Sequence, residues 1–204
     1  MPRTLVIDTA TAACSVALLE GTAVLAEVHE VVGRGHAERL LPMIQSLPGR
    51  GRADAILIDC GPGSFTGVRV GLAAARALGL GWNIPVTGYS SMALLALGAD
   101  PAEDAVGVAL IGGHGELFVQ RFACSPLKSL SPLASLTPAL AASAISETIV
   151  IGSGAEALVA ARRTGRAVEA LPRAADTIRL PRDFISLPPR PIYGRDADAK
   201  PAAA

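Results

Sequence analysis

The sequence predicts an α/β protein made of a duplicated unit, with the second copy reduced. Three observations carry that prediction. Three short β-rich runs joined by tight turns open the chain, as in an antiparallel meander. A continuous apolar run, a glycine loop and an Ala-rich helical pattern follow over residues 55–82. A weaker version of the same alternation recurs after residue 104.

The elements follow in order. Residues 4–7, 14–19 and 23–29 read as strands, separated by the polar turn of Asp8, Thr9, Ala10 and Thr11 and by Glu20-Gly21-Thr22. Residues 36–47 place Leu40, Leu41, Ile44 and Leu47 at helical spacing, with Pro42 expected to start that helix late or bend it. Residues 49–52 are a basic loop and 55–58 a strand buried on both faces. Residues 61–71, GPGSFTGVRVG, form a glycine loop that launches a helix over 68–82. That helix is rich in small residues. Its interior glycines cost about 1 kcal/mol each relative to alanine, so another backbone is expected to approach closely. Residues 84–87 read as a strand and 90–97 as a helix capped by Ser90 or Ser91.

Residues 98–104 are polar and contain a proline, and mark the expected boundary between an N-terminal unit (1–100) and a smaller one (104–195). In the second unit, 105–111 and 117–122 are strands around a glycine turn, 125–138 is loop-rich, 148–151 is a strand and 155–164 a helix. Residues 196–204 read as a disordered tail. Actin, sugar kinases and heat-shock ATPases are built from such duplicated units.

Composition bounds the function. Half of the 204 residues are apolar, enough for a sizeable core, and the formal net charge is zero. Zero net charge argues against a standing nucleic-acid or membrane footprint. Cys14, Cys60 and Cys124 are too far apart for metal-ligand spacing and odd in number, so a reducing cytoplasm is expected. No run reaches the ~20 apolar residues of a membrane span. A strand–glycine loop–helix junction aims backbone N–H groups and a helix dipole at one spot, so Gly61, Gly63 and Ser64 read as a phosphate cradle or the degenerate relic of one, now a rigid turn that places the following helix. No lysine follows at Walker spacing, which excludes a P-loop NTPase. Ser64 is not in a Gly-x-Ser-x-Gly elbow and has no recognisable His/Asp partners.

Four segments carry a resemblance to a known family: DTATAACSVALL from Asp8, GHAERLLPMI from Gly35, GPGSFTGVRVGLAAARAL from Gly61, and PIYGRDADAKP from Pro191. Together they resemble the TsaB (YeaZ) family, accessory proteins of threonylcarbamoyladenosine synthesis on tRNA. The match is dense from Arg3 to about Leu97 and sparse beyond. The resemblance implies an actin-like ATPase (ASKHA, ribonuclease H-like) fold. It implies a non-catalytic protein that binds and activates a TsaD-like catalytic paralogue, which works with a TsaE-like ATPase. ATP or ADP and iron or zinc are expected in those partner subunits, with no cofactor on this chain. A homodimer is expected when the chain is alone, and tRNA is met through the complex.

Within that frame the site residues are expectations. The paralogue's metal-binding His-x-x-x-His pair falls on Ser91 and Leu95, and Leu95 cannot ligate. His29, His36 and His114 share no ligand spacing. Asp8, Thr9 and Thr11 stand where actin-like ATPases keep a first phosphate loop. They can hold Mg²⁺ and phosphate, or simply make an Asp turn, and the turn is the plainer reading. Ile111 to His114 departs from the family's acidic-then-basic stretch and reads as a hairpin turn. The partner-binding surface is expected on the two helices of the first unit: His36, Arg39, Leu40, Met43, Arg69, Val70, Ala73, Ala74 and Ala77. Ala74→Arg is expected to block association. The alternatives are an independent ATPase or kinase and, behind it, a metal-dependent peptidase. Direct tRNA contact through Arg50, Arg52, Arg162, Arg163 and Arg166 is weaker, for want of an aromatic stacking platform.

Overall fold

The structure, a computed structural model, describes residues 1–100 and 102–194. The tail expected over 196–204 lies outside the described residues. Strands β1 (Arg3–Asp8), β2 (Ala13–Glu20) and β3 (Ala23–Val31) form the meander. Strands β4 (Ala55–Asp59) and β5 (Val86–Tyr89) extend it in parallel on the other side of β1. The order across this sheet is β3-β2-β1-β4-β5. Central strand β1 is continuously apolar because both faces are covered. Leu5 and Ile7 pack under α1 (His36–Ser46) and α2 (Phe65–Trp82), with Leu40, Met43, Ile44, Val68 and Leu72. Val6 and Leu57 face the other way, against α3 (Ser91–Ala96).

The second sheet repeats the plan. Its strands are β6 (Ala105–Ile111), β7 (Leu117–Cys124), β8 (Leu127–Ser129), β10 (Ile149–Ile151) and β11 (Arg166–Val168). They run in the order β11-β10-β6-β7-β8, with β9 (Ala134–Leu136) pairing β7. Read from the other edge, β8-β7-β6-β10-β11 matches β3-β2-β1-β4-β5 in order and in direction: antiparallel on one side of the first strand, parallel on the other. This is the duplicated, ribonuclease H-like α/β unit of the actin-like fold. The copy is reduced, since four of its strands have only three residues. A shared core joins the two sheets, with Val6, Tyr89, Met92, Val106, Leu110 and Phe122 in one cluster. Helices α4 (Pro138–Ala144) and α5 (Ala155–Arg162) cover the far side of the second sheet, around Ala109, Val119 and Val150.

Several boundaries move, each for a local reason. Helix α1 starts at His36 and carries Pro42 inside it, on an exposed position, so there is no late start. Helix α2 starts at Phe65, because the Ser64 side chain accepts from Gly67 N–H (3.2 Å) and caps it. Strand β5 starts two residues late. Asn83 ends α2 in the left-handed conformation, and Ile84 N–H still closes that turn on Gly79. The loop-rich stretch 125–138 holds β8 and β9, and α4 and β11 were not legible at all; three-residue strands carry no periodicity. No helix of the described residues is long and apolar enough to cross a membrane.

Candidate functional site

The two candidate phosphate loops face each other at the ends of β1 and β4, and they are filled by this chain itself. Ser64 N–H, a donor that an anion would need, binds the Ala10 carbonyl at 2.6 Å. A Cβ on Gly63 would lie 2.0 Å from that same oxygen, and one on Gly67 2.1 Å from Thr9 O. Only glycine admits this approach. Thr9 is fully buried and donates its hydroxyl to Gly67 O (2.8 Å). Thr11 Oγ1 accepts from Ala13 N–H (3.3 Å). Gly61 N–H goes to Asp59 Oδ1 (2.8 Å). The atoms that looked available for phosphate hold the turn to α2 instead, and the close backbone approach expected of the glycine helix is the chain's own Asp8–Thr11 turn.

Under these loops Asp8, named from the sequence, meets Asp59, which sequence reasoning missed. Asp8 and Asp59 are both fully buried, at the ends of two adjacent parallel strands. Tyr89 O–H donates to Asp8 Oδ2 (2.7 Å), and Ser91 O–H to Asp59 Oδ2 (2.5 Å). Ser91 N–H reaches Asp59 Oδ1 (3.1 Å). Burial, then the charge of Asp59, holds the Asp8 carboxyl well above the usual carboxylate range. Burial raises Asp59 to about 6, against the pull of its hydrogen bonds from Ser91 and Gly61. The signal in the sequence was an acid closing each of two apolar strands, but their pairing is set by the sheet. Ser91 is thus committed to Asp59, and Leu95 lies in the apolar core. Among the described residues no cluster of three or more His, Cys, Asp or Glu has the geometry to hold a metal ion.

The helix residues divide. His36, Leu40 and Met43, expected on a partner surface, are buried, which corrects that assignment. His36 Nε2 lies 2.8 Å from Thr11 O and 3.2 Å from Ala13 O, so it fastens the first turn from beneath. Leu40 and Met43 are core; the exposed leucine of α1 is Leu41, at 48%. Arg39 is exposed and forks onto Glu30 (2.6 and 2.9 Å). On α2, Arg69, Ala73 and Ala77 face outward in one stripe four residues apart, and Leu80 extends it at 86% exposure. Val70 and Ala74 are half-buried against the first-sheet core. An arginine at 74 would therefore disturb this chain's own packing, and Ala73 is the cleaner position.

Between the sheets opens a cleft of about 1040 Å³. Its walls are mostly apolar, with Phe65, Val68, Ile111, Phe118 and Tyr193, and its polar rim includes Arg69, His114 and Ser153. The Ile111–His114 segment is a hairpin turn on this rim: Gly112 N–H binds Glu116 O (2.8 Å), and Ile111 N–H binds Ser153 Oγ (3.2 Å). Arg69 stacks on Phe65, 3.4 Å from the ring centroid. Arg50 and Arg52 precede β4, whereas Arg162, Arg163 and Arg166 flank the α5–β11 turn of the other sheet, so they form no single stripe.

Comparison with known proteins gives the context. The family model "TsaD: tRNA N6-adenosine threonylcarbamoyltransferase" matches residues 27–125. The TsaB protein of Escherichia coli (strain K12), described as a tRNA threonylcarbamoyladenosine biosynthesis protein, is 45% identical over 102 residues, 48% of this chain and 44% of that protein. The match thus spans less than half the length of that curated relative. An uncharacterized protein of Mycobacterium tuberculosis (strain ATCC 25618 / H37Rv) is 30% identical over 98% of this chain and 94% of its own length. The solved structure of YeaZ from Pseudomonas aeruginosa superposes with a TM-score of 0.77 at 27% identity, over 95% of this chain and 100% of that one.

Proposed function

This chain belongs to the TsaB/YeaZ family, and on that premise we propose that it serves tRNA threonylcarbamoyladenosine synthesis as a partner rather than a catalyst. It binds a TsaD-type subunit through the outer face of α2 and supports that subunit's threonylcarbamoyl transfer to adenosine 37. The observation that carries the reading is the uncovered stripe of Arg69, Ala73, Ala77 and Leu80. Small residues let a second helix approach closely, and Leu80 supplies apolar area worth ~25 cal/mol per Å² once covered. The same face serves a homodimer when the partner is absent, so the two assemblies compete. A TsaE-type ATPase completes the system, and tRNA, nucleotide and metal are handled by the other subunits.

The interior chemistry supports this reading. The atoms at the two ancestral phosphate loops bind each other, and Ser91 and Leu95 are used in packing. Reconstituted threonylcarbamoyl transfer, with each protein omitted in turn, tests it. Omission of this chain should cut the rate at least tenfold, while the chain alone with ATP and tRNA gives none. An unchanged rate without it refutes the role. The second reading, an ATPase or kinase in its own right, rests on the 1040 Å³ cleft between the sheets, and multiple ATP turnovers by the purified chain would establish it.

A further inference from the structure

We propose that residues 185–194 form a strap coupling the outer face of α2 to the wall of the cleft. A partner that presents carboxylates to Arg69 and Arg76 would release the strap and open the cleft. The proposal rests on the reading of α2 as the docking face.

The strap comes off the core between the sheets, where Phe184 and Ile185 pack, and crosses to the first sheet. Leu187 exchanges both backbone hydrogen bonds with Gly88 (2.7 and 3.0 Å), so the strap adds a short pairing to β5. Ile192 N–H binds Cys60 O at 2.8 Å. Pro188, Pro189 and Pro191 have no N–H to give, so the strap cannot zip on as a full strand. Its charged fasteners come from α2, beside a weak bond from the Cys60 thiol to Pro188 O (3.7 Å). Arg76 Nη2 donates to Pro189 O (2.5 Å), and Arg69 Nη2 to Tyr193 O–H (3.3 Å). Beyond them, residues 191–194 line the cleft, and a Cβ on Gly194 would meet the Phe118 ring of β7 at 2.4 Å. One segment therefore touches the docking helix, the first sheet and the second sheet.

The fasteners are replaceable. Neither guanidinium is in an ion pair among the described residues; both bind neutral oxygens. A charge-assisted bond to a carboxylate is stronger than one to a carbonyl or a phenol, and an arginine fork takes it bidentately. Both arginines are exposed, seven residues apart on the helix that presents Ala73 and Ala77. An acidic partner at this face draws them from Pro189 and Tyr193.

Amide hydrogen exchange tests the coupling. In the isolated chain, Arg76→Ala should speed exchange at Ile192 about tenfold, as expected for loss of one charge-assisted hydrogen bond, with β1 amides unchanged as the check on folding. Unchanged exchange at Ile192 overturns the fastening. On mixing the unmodified chain with the TsaD-type subunit, α2 should gain protection while Ile192 loses it. Protection on α2 with Ile192 unchanged or slower overturns the coupling and leaves docking standing. No protection on α2 overturns docking, and the coupling with it.

Discussion

At the residue scale, the buried pair Asp8 and Asp59 makes stability depend on pH. Both carboxyls are fully buried and meet only neutral donors: Tyr89 and Ser91 hydroxyls, the N–H groups of Ala10, Gly61 and Ser91, and the protonated Asp8 carboxyl, which donates to Asp59. Both have folded pKa values above the unfolded carboxylate value. A raised carboxyl pKa contributes stability that is complete below the unfolded value and is lost as pH rises through the folded one. The pair's contribution should therefore fall from the ordinary carboxylate value of 3.8 upward, through about 6 at Asp59 and further as Asp8 ionises. Asp8→Asn keeps an acceptor for Tyr89 and supplies a permanent N–H toward Asp59. We expect it to flatten the pH profile and to be more stable than the parent at pH 8, by roughly 1–3 kcal/mol. Urea unfolding of the parent and Asp8→Asn at pH 5 and pH 8 measures this, the difference cancelling the opposite contribution of His29, whose pKa burial lowers; an equal pH dependence of the two contradicts it.

At the element scale, α2 separates propensity from packing. Gly67 and Gly81 both sit in this helix, and helix propensity alone favours alanine at each by about 1 kcal/mol. A Cβ at 81 meets nothing within 4 Å, whereas one at 67 meets the Thr9 backbone at 2.1 Å. Gly81→Ala should raise stability by up to about 1 kcal/mol, and Gly67→Ala should lower it by several-fold more, because the whole Asp8–Thr11 turn must move. Thermal unfolding of the two variants reads this directly; stabilisation by both refutes the packing account. The expensive glycines were visible in the sequence, and so was the need for a close approach. Its source was not, because the contact joins residues 58 positions apart. The same limit explains α1: leucine spacing located the helix, but only the fold shows that Leu40 and Met43 turn inward while Leu41 turns out.

At the scale of the whole molecule, the duplicated sheet order makes two facing hairpins, and a cleft follows between them. In this chain the first hairpin turn is sealed against the glycine loop, and exposed apolar area lies both on the cleft wall, at Phe65, Ile111 and Tyr193, and on the outer face of α2, at Leu80. The duplication was legible in the first five strands and blurred in the copy, whose β8, β9 and β11 are too short to leave a pattern. The strap was legible only as a run of prolines, since its partners Gly88 and Cys60 lie far away in the sequence from Leu187 and Ile192. Function then rests on a surface, and surfaces of small residues leave little chemical signature.

The direct measurement is a calorimetric titration of the TsaD-type subunit with the chain and with Ala73→Arg, a substitution at an exposed position that leaves the core untouched. The account predicts saturable binding by the parent and roughly a hundredfold weaker binding by the variant, since the long side chain would block the close helix approach that Ala73 permits. Equal affinity for the two, with both folded, would contradict it.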